Sequence, residues 1–231
     1  FAFNKYINNS LPIISLQYHG IEIKYLLESL TNLVTTNAYY TTADQTADID
    51  INIYVDYVIL NEEERKKNYF NPHYINYEYI QHFGDLSIIN LNNQFSIALH
   101  NCVKEVFIVA IKDGNSFGDY SLNNASPFEK IELLCNGISR VENTDPLYYD
   151  LVQKFQHHTN ITANKYIYTY SFALYPEKES STGTCNLTQI DNFKVFVRMK
   201  SSFGTGKLLV YATAFNRLLI QNGISEVKFI F

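Results

Sequence analysis

Residues 170–191, YSFALYPEKESSTGTCNLTQID, concentrate side chains that could do chemistry. Cys185 could act as a nucleophile if a base lay close to it, and Glu177 and Glu179 could serve as a general acid and a general base. The sequence identifies no base for Cys185, and two glutamates two positions apart define no acid–base pair without geometry. The segment could also be a glycosylated loop or the corner between two strands.

The pair His157-His158 is the best candidate for a metal site. Adjacent side chains on a strand point to opposite faces, so the two imidazoles could not easily bind one ion. A cupin-type metal site would require histidines two positions apart with a glutamate following, and that pattern is missing. We therefore interpret the pair as polar anchoring at the entrance to a strand.

Two loops that contain glycine, GNSFG at 114–118 and SSFGTG at 201–206, are candidates for phosphate binding. Neither follows a strand into a helix, and neither has the glycine, lysine and hydroxyl spacing of a phosphate-binding loop. The motifs therefore favour a protein that is not an enzyme. We expect no catalytic residue, no metal and no cofactor.

The composition of the 231-residue chain is that of a folded β protein. Hydrophobic residues make up 46% and charged residues 18% of the chain, which permits a large core and argues against disorder. The 19 tyrosines and 16 phenylalanines favour pleated, half-buried surfaces. Cys102, Cys135 and Cys185 are far apart and odd in number, which predicts free thiols in a reducing compartment.

The charge pattern gives little support to direct nucleic-acid binding. The net charge is −5, and the densest cationic run, at 65–67, directly follows three glutamates. Phosphate binding requires several clustered cations. No apolar run approaches the ~20 residues that a membrane-spanning helix needs.

The first third of the chain predicts strands and one short helix. Residues 11–26 alternate apolar and polar side chains with a phase slip that predicts a β-bulge at His19-Gly20. Residues 31–48 are polar and threonine-rich, which predicts a loop or an exposed strand. Residues 50–60 alternate as a strand, and Asn61 is placed to cap a short helix with glutamates in its first turn.

The remainder predicts many short strands after a connecting stretch at 68–90, which lacks a sustained period. Asn136-Gly137 is the pair typical of a two-residue hairpin turn, and Cys135 before it is interpreted as a buried strand residue. Alternation marks strands at 94–100, 103–112, 128–141, 166–174, 193–199, 207–220 and 225–231. This pattern predicts an antiparallel sandwich, and periodicity leaves open whether it is a jelly roll or an immunoglobulin-type sandwich.

One short helical segment interrupts these strands. Leu147, Leu151 and Phe155 follow an Asp-Pro pair at four-residue spacing, which predicts a short capped helix or a helical turn.

The segment 170–191 resembles a signature of the major capsid proteins of nucleocytoplasmic large DNA viruses. In that family a Tyr-Ser-Phe-Ala-Leu strand meets a Pro-Glu turn, followed by Ser-Gly-Thr-Cys-Asn and a later Asp. The matching positions of this chain are Tyr170, Ser171, Phe172, Pro176, Glu177, Gly183, Thr184, Cys185, Asn186 and Asp191.

Further segments resemble the family in the same order along the chain. LPIISLQYHGIEI, VDYVILNEEERKK, CVKEVFIVA, ELLCNGISR, FQHHTNI and LLVYATAFNRLLIQNG each resemble a segment of the family. Their matching positions are Pro12, Gln17, Tyr18, His19, Asp56, Tyr57, Asn136, Gly137, Gln156, His157, His158, Tyr211 and Ala212. The chain departs from the family after the late strand, where QNGIS at 221–225 replaces a Met-Ser-Gly stretch.

The resemblance implies an all-β double jelly-roll protein. Residues 1–75 would be the C-terminal part of a first jelly roll, 76–90 the inter-domain connection and 91–231 a complete second jelly roll. The single methionine, Met199, agrees with the expectation that the N-terminal part of the first roll is absent.

The resemblance also implies a structural role and a set of partners. Such proteins form homotrimers with a pseudo-hexagonal outline that tile an icosahedral shell. The implied partners are other copies of the protein, neighbouring capsomers and minor capsid proteins, without direct contact with nucleic acid. The implied location is the virion capsid, assembled in the host cytoplasm.

Other classes of function remain open from the sequence. A carbohydrate-binding jelly roll would place Tyr39-Tyr40 or Tyr148-Tyr149 in an exposed concave patch, because sugar faces stack on aromatic rings. A cupin-like enzyme would hold a metal near His157 or His158. A vertex protein is less favoured because such proteins carry one jelly roll.

Overall fold

The computed structural model describes residues 10–27, 51–115, 118–161, 165–178 and 180–229. The chain divides into two compact units. The large unit contains Tyr74–Leu218, and the small unit contains Leu11–His73 with Leu219–Glu226. The predicted loop at 31–48 lies outside the described residues.

The small unit contains a 3-10 turn at Ile13–Ser15 and helix α1 at Glu62–Phe70. Asn61 and Glu64 form a reciprocal capping box, because Asn61 Oδ1 accepts from the Glu64 N–H at 2.9 Å and Glu64 Oε2 accepts from the Asn61 N–H at 3.2 Å. Three glutamates in the first turn face the positive end of the helix dipole. The helix predicted after Asn61 is confirmed.

Hydrogen bonds of side chains and backbone tie the segments of the small unit to one another. The Ser15 hydroxyl donates to the Asn68 carbonyl at 2.7 Å. The Tyr18 N–H donates to the Gly223 carbonyl at 3.0 Å, and His19 Nδ1 lies 2.6 Å from Ser225 Oγ. His19 is therefore a hydrogen-bonding residue of the small unit.

The strands predicted at 11–26 and 50–60, and the bulge at His19-Gly20, are wrong for the described residues. Residues 16–27 and 51–61 carry no sheet pairing, and most of their side chains are exposed. Alternation identifies side chains that could share one face, but a strand also needs a neighbour for its backbone hydrogen bonds. The described part of the chain supplies no such neighbour to these two segments.

In the described part of the chain, ten strands build two sheets. The order in the first is β1 (His73–Ile88), β9 (Gly206–Gln221), β3 (Cys102–Lys112) and β6 (Tyr168–Ser171), with β7 (Cys185–Asn186) also paired to β3 and β10 (Ile224–Val227) to β9. The order in the second is β2 (Asn92–Ser96), β8 (Phe193–Met199), β4 (Phe128–Cys135) and β5 (Ile138–Thr144). The pairings β2–β8, β4–β8, β4–β5, β3–β6, β3–β7 and β3–β9 are antiparallel.

The two sheets enclose one apolar core, which confirms the predicted sandwich. Alternate residues of each strand point into it, so the buried positions on β8 are Phe193, Val195, Val197 and Met199. Each fully buried apolar side chain of this size contributes roughly 1.5–3 kcal/mol to stability relative to an exposed one. The core also includes Cys135, as predicted.

The hairpin predicted at Asn136-Gly137 joins β4 to β5. Both residues have positive φ, 50° for Asn136 and 81° for Gly137. Positive φ at both central positions is the requirement of a type I′ turn, whose twist matches that of the flanking strands. Asn136 Oδ1 also accepts from the Asn192 N–H at 3.0 Å, which ties the turn to the residue before β8.

The predicted strands differ in length from the observed ones. The strand predicted at 166–174 is shortened to β6, and the one predicted at 94–100 is β2. The stretch predicted as a connection, 76–90, contains most of β1. The proposed domain boundaries themselves stay a prediction.

The predicted helical segment is a π-helical turn at Tyr148–Val152 followed by helix α2 at Gln153–His157. Its apolar spacing does not mark the buried face, because Leu147, Leu151 and Phe155 are exposed. The buried side chains are those of Tyr149, Asp150, Gln153 and Lys154. These polar groups can be buried because they are paired: Lys154 Nζ lies 2.5 Å from Asp150 Oδ1, and Gln153 Oε1 accepts from the Ser171 N–H at 3.0 Å.

Among the described residues, no helix has the length and apolar character needed to cross a membrane.

Substitution of Gly206 tests how closely the start of β9 is packed. A Cβ atom on this residue would lie 2.3 Å from the Ile111 carbonyl oxygen and 2.8 Å from the Phe203 ring. We expect Gly206→Ala to lower the free energy of unfolding by about 1–3 kcal/mol, the usual cost of overpacking. Urea unfolding of the purified chain measures it.

Gly84→Ala is the matched control, because a Cβ atom at Gly84 on β1 would meet nothing within 4 Å. We expect this variant to unfold at the wild-type urea concentration or higher. Equal unfolding midpoints for the two variants would contradict the packing at Gly206.

Candidate functional site

Two short strands, β6 and β7, pair with consecutive parts of β3. Ser171 of β6 lies opposite Glu105, and Cys185 of β7 lies opposite Val103. The described residues between these two pairings, 172–178 and 180–184, lie outside the sheet, and we call them the corner loop. The segment 170–191 therefore contains the point at which the pairing along β3 is interrupted.

Lys104 is the residue of β3 that faces this interruption. The pairing of β3 with β9 shifts register between Val103 and Glu105, so Lys104 is the extra residue of a β-bulge. Its carbonyl oxygen accepts two hydrogen bonds, from the Phe172 N–H at 2.8 Å and the Ala173 N–H at 3.2 Å. The bulge thereby anchors the start of the corner loop.

The Lys104 ammonium group is buried, with 1% of its side chain exposed. It forms an ion pair with the Glu78 carboxylate of β1, and it donates to the Lys178 carbonyl of the corner loop at 3.2 Å. The Phe215 ring lies 5.0 Å from Nζ, within the range of a cation–π contact. A buried ammonium requires such partners, since an unpaired buried charge is strongly destabilising.

His158 lies between two carboxylates. Its Nε2 is 3.3 Å from Glu105 Oε2 of β3, and its Nδ1 is 3.4 Å from Glu177 Oε1 of the corner loop. Glu177 Oε2 accepts from the Thr159 N–H at 3.1 Å and from the Thr159 hydroxyl at 2.6 Å. The corner loop is thus tied both to β3 and to the residues after α2.

These contacts shift the pKa values of His158 and Glu177 in opposite directions. The contact with Glu105 raises the pKa of His158 above its ordinary value, and it outweighs burial, which acts to lower the pKa. The hydrogen bond from the Thr159 hydroxyl is the main cause that lowers the pKa of Glu177. Both shifts favour the charged forms of the pair.

The far side of the corner loop folds back on its beginning. Gly183 has φ +145°, and a Cβ atom there would lie 2.9 Å from the Phe172 carbonyl oxygen. The Thr182 hydroxyl accepts from the Tyr175 N–H at 2.8 Å and donates to the Tyr175 carbonyl at 3.1 Å. Glycine is therefore required at Gly183 by conformation and by space.

The chain re-enters the sheet through β7 and a capped turn. Asn186 Oδ1 accepts from the Thr188 N–H at 3.2 Å, which caps the 3-10 turn Leu187–Gln189. The Leu187 N–H donates to the Asn101 carbonyl at 3.0 Å, and the Asn101 N–H donates to Thr188 Oγ1 at 2.8 Å. These bonds fix the end of the corner loop against the start of β3.

The histidine pair does not lie on a strand, which corrects that expectation. His157 is the last residue of α2 and His158 follows it, because the helical segment continues to this point. His157 Nδ1 lies 3.0 Å from the Leu174 carbonyl oxygen. Within the described ranges, no group of three His, Cys, Asp or Glu residues is arranged to hold a metal ion.

The cysteines have no bonded partner sulfur: Cys102, Cys135 and Cys185 are free thiols. Burial raises the pKa of the Cys185 thiol. A raised pKa disfavours the thiolate that a nucleophile requires. Glu179, the other candidate of that segment, lies outside the described residues.

The structure brings together one large group of the predicted signature residues, those on β6, the corner loop, β7 and the end of α2. This group is Gln156, His157, His158, Tyr170, Ser171, Phe172, Pro176, Glu177, Gly183, Thr184, Cys185 and Asn186. Within it, Pro176 is buried and Gln156 is exposed.

The other predicted signature residues lie elsewhere. Asn136 and Gly137 form the β4–β5 turn, Asp191 is exposed before β8, and Tyr211 and Ala212 lie on β9. The small unit holds Pro12, Gln17, Tyr18, His19, Asp56 and Tyr57. Their standing as family positions stays a prediction.

Lys104, Glu105 and Glu78 are the functional residues that the sequence analysis missed. The available signal was the Lys-Glu pair inside the otherwise apolar run VKEVFIVAIK, because charged residues in a buried strand need partners. The partners themselves, on β1 and in the corner loop, are far away in sequence.

A groove of about 1260 Å³ lies beside the corner loop in the large unit. Its wall includes Tyr77, Phe107, Glu105, His158, Pro176 and Arg217. Tyr148-Tyr149 is not part of it: Tyr149 is buried in the core, with its ring centroid 5.3 Å from that of Tyr148. Tyr39-Tyr40 lies outside the described residues.

Residues 31–225 match the family model described as the large eukaryotic DNA virus major capsid protein. The chain belongs to this family. It is 28% identical to the major capsid protein of Pyramimonas orientalis virus, over 95% of this chain and 57% of the relative. It is 23% identical to that of Phaeocystis pouchetii virus, over 95% of this chain and 62% of the relative. The chain therefore spans about three fifths of the length of these relatives, between 57% and 62%.

Solved capsid structures share its fold. A quasi-atomic structure of the PBCV-1 virus capsid matches 74% of this chain and 55% of its own chain, with a TM-score of 0.63 and 19% identity. The Faustovirus major capsid protein matches 70% of this chain and 36% of its own, with a TM-score of 0.53 and 12% identity. This similarity confirms the all-β jelly-roll fold that the sequence resemblance implied.

Substitution of Lys104 is the most direct test of the contacts around the corner loop, because it removes the ion pair with Glu78. We expect Lys104→Met to lower the free energy of unfolding by about 2–4 kcal/mol, because it leaves the Glu78 carboxylate and the Lys178 carbonyl without their donor. Urea unfolding at neutral pH measures the loss.

Lys207→Met is the matched control, since Lys207 Nζ pairs with Asp85 at 2.9 Å but both side chains are 54% exposed. An exposed pair contributes little to stability, so we expect no measurable change in the unfolding midpoint. If both lysine variants lost stability equally, the special role of the buried pair would be contradicted.

Proposed function

We propose that this chain is part of a structural subunit that builds a viral shell. The observation that carries the proposal is the family match over residues 31–225, together with the shared jelly-roll fold. Two features of the large unit support it: a continuous core between two sheets, and a buried lysine, Lys104, that donates to the corner loop and pairs with Glu78. A shell subunit needs a rigid core and fixed corners more than it needs a reactive site.

The proposed assembly is a homotrimer with a pseudo-hexagonal outline that tiles an icosahedral shell. Two similar jelly rolls in each subunit would produce six similar lobes from three copies. In this arrangement residues 1–75 are the C-terminal part of the first roll, 76–90 the connection and 91–231 the second roll. The partners would be identical subunits, neighbouring capsomers and minor capsid proteins, in a virion capsid assembled in the host cytoplasm.

A catalytic role has less support than this structural one. Two chemically suggestive residues of the segment 170–191 have structural partners: Glu177 of the corner loop binds His158 and Thr159, and Cys185 of β7 lies in the β3–β7 pairing. A sugar-binding face at Tyr148-Tyr149 has no support either, because Tyr149 is buried. The net charge of −5 suits contact with other copies better than contact with nucleic acid.

The experiment that tests the proposal is a measurement of oligomeric state. The protein, expressed from its full open reading frame, is purified and examined by light scattering and by electron-microscope class averages over a range of concentrations. We expect a mass of three subunits and particles with a hexagonal outline. Monomers or dimers at every concentration would overturn the proposal, and binding to a glycan array would then test the carbohydrate alternative.

A further inference from the structure

We infer that His158 is a proton-dependent latch: its charged ring holds the corner loop against β3, and loss of the charge releases the loop. Three elements meet at this ring, namely β3 through Glu105, the end of α2 through His158, and the corner loop through Glu177. The inference concerns the folding of one chain and goes beyond the proposed assembly.

The geometry of the imidazole carries the inference. Each ring nitrogen faces a carboxylate oxygen, Glu105 Oε2 at 3.3 Å and Glu177 Oε1 at 3.4 Å. A neutral imidazole has an N–H on one nitrogen and a lone pair on the other. Whichever tautomer formed, the lone pair would face a carboxylate and repel it. The imidazolium alone presents an N–H to both sides.

Burial makes the contact with Glu105 sensitive to charge. The side chains of His158 and Glu105 are 15% and 10% exposed, so water screens them little, whereas the Glu177 side chain is 41% exposed and water screens its contact more. Within the described residues, Glu105 Oε2 and His158 Nε2 are buried atoms with no aligned hydrogen-bond partner. Attraction between opposite charges is therefore what holds the two atoms together.

The other ionisable groups of the groove wall lie on β1, β3 and β9. Glu78 on β1 is paired with Lys104 on β3. Tyr77 and Tyr79 on β1, Cys102 on β3 and Arg217 on β9 line the same groove. Tyrosine, cysteine and arginine ordinarily titrate above pH 8, and glutamate below pH 5. Histidine is the group whose ordinary titration falls in this interval.

The direction of the pH effect follows from the two shifted groups. The pKa of His158 is raised from 6.5, so its contribution is fully present below pH 6.5 and is lost as the pH rises through the folded-state value. The pKa of Glu177 is lowered from 4.5, so its contribution is present above pH 4.5 and is lost as the pH falls through its folded-state value. The corner loop is held best between these two ordinary values.

Release of the latch would change the groove beside the loop. The corner loop supplies Pro176, Glu177, Ser180, Ser181 and Thr184 to the groove wall, whereas other wall residues come from β1, β3 and β9. A loosened loop would widen the groove at alkaline pH without unfolding the sandwich. His158 would therefore control access to this surface.

Hydrogen exchange of the purified chain at pH 5.5 and pH 8.0 tests the latch. Exchange is corrected for the intrinsic pH dependence, and the protection of amides at 172–184 is compared with that of the β4–β5 hairpin. We expect corner-loop protection to fall at pH 8.0, by about tenfold for each unit by which the folded-state pKa of His158 exceeds its ordinary value. Hairpin protection stays unchanged.

Two variants separate the latch from a general pH effect. His158→Gln removes the titrating ring, so its corner-loop protection is expected to be the same at both pH values. His157→Gln is the matched control, because His157 contacts the same loop through the Leu174 carbonyl, and it keeps the wild-type fall in protection. A fall in protection that persists in His158→Gln, or its absence from the wild type, overturns the latch.

An NMR titration of the wild-type His158 ring covers the case in which His158→Gln does not fold. We expect the ring and the corner-loop amides to titrate together, with a midpoint above pH 6.5. A midpoint at or below this value, or loop signals that do not follow the ring, overturns the inference. The measurement of oligomeric state is independent of both results, because it does not depend on the corner loop.

Discussion

The extra residue in β3, Lys104, is the constraint on which the corner loop depends. β6 and β7 both pair with β3, yet the corner loop lies between them and cannot stay in the sheet. The bulge at Lys104 offers a carbonyl that accepts two amides of the departing chain. It also places an ammonium in the interior, and this charge requires partners. Glu78 and the Lys178 carbonyl supply them, so the bulge and the loop fix each other.

Buried charges of this kind do more to specify a conformation than to stabilise it. Replacing a buried ion pair with apolar side chains is often neutral or stabilising, whereas removing one partner is costly. A misplaced corner loop would deprive Lys104 of the Lys178 carbonyl and His158 of the Glu177 carboxylate. The native position of the loop is therefore separated from alternatives by the cost of these lost partners. A repeated shell subunit would depend on such uniqueness, because each copy must present the same surface.

Local signals in the sequence predicted local structure well. The turn at Asn136-Gly137 and the capping box at Asn61 involve residues within a few positions of each other, so sequence contains all the partners. The prediction of strands at 11–26 and 50–60 was wrong because a strand depends on a neighbour that is distant in sequence. The prediction of the buried face of the helical segment at 148–157 was wrong for a related reason, since Gln153 is buried where it accepts a hydrogen bond from the backbone of β6. No spacing rule within the helix contains that information.

The contrast between local sequence and distant partners also explains why the segment 170–191 resembled an active site. A glycine, a cysteine, glutamates and hydroxyl side chains close together are what an active site needs, and they are also what an excursion from a sheet needs. Gly183 allows a positive φ and close approach to Phe172, Thr182 ties the loop to its own start, and Glu177 binds the imidazole of His158. Gly183, Thr182 and Glu177 therefore have structural roles in the excursion of the chain from the sheet, and the requirements of folding account for these three residues.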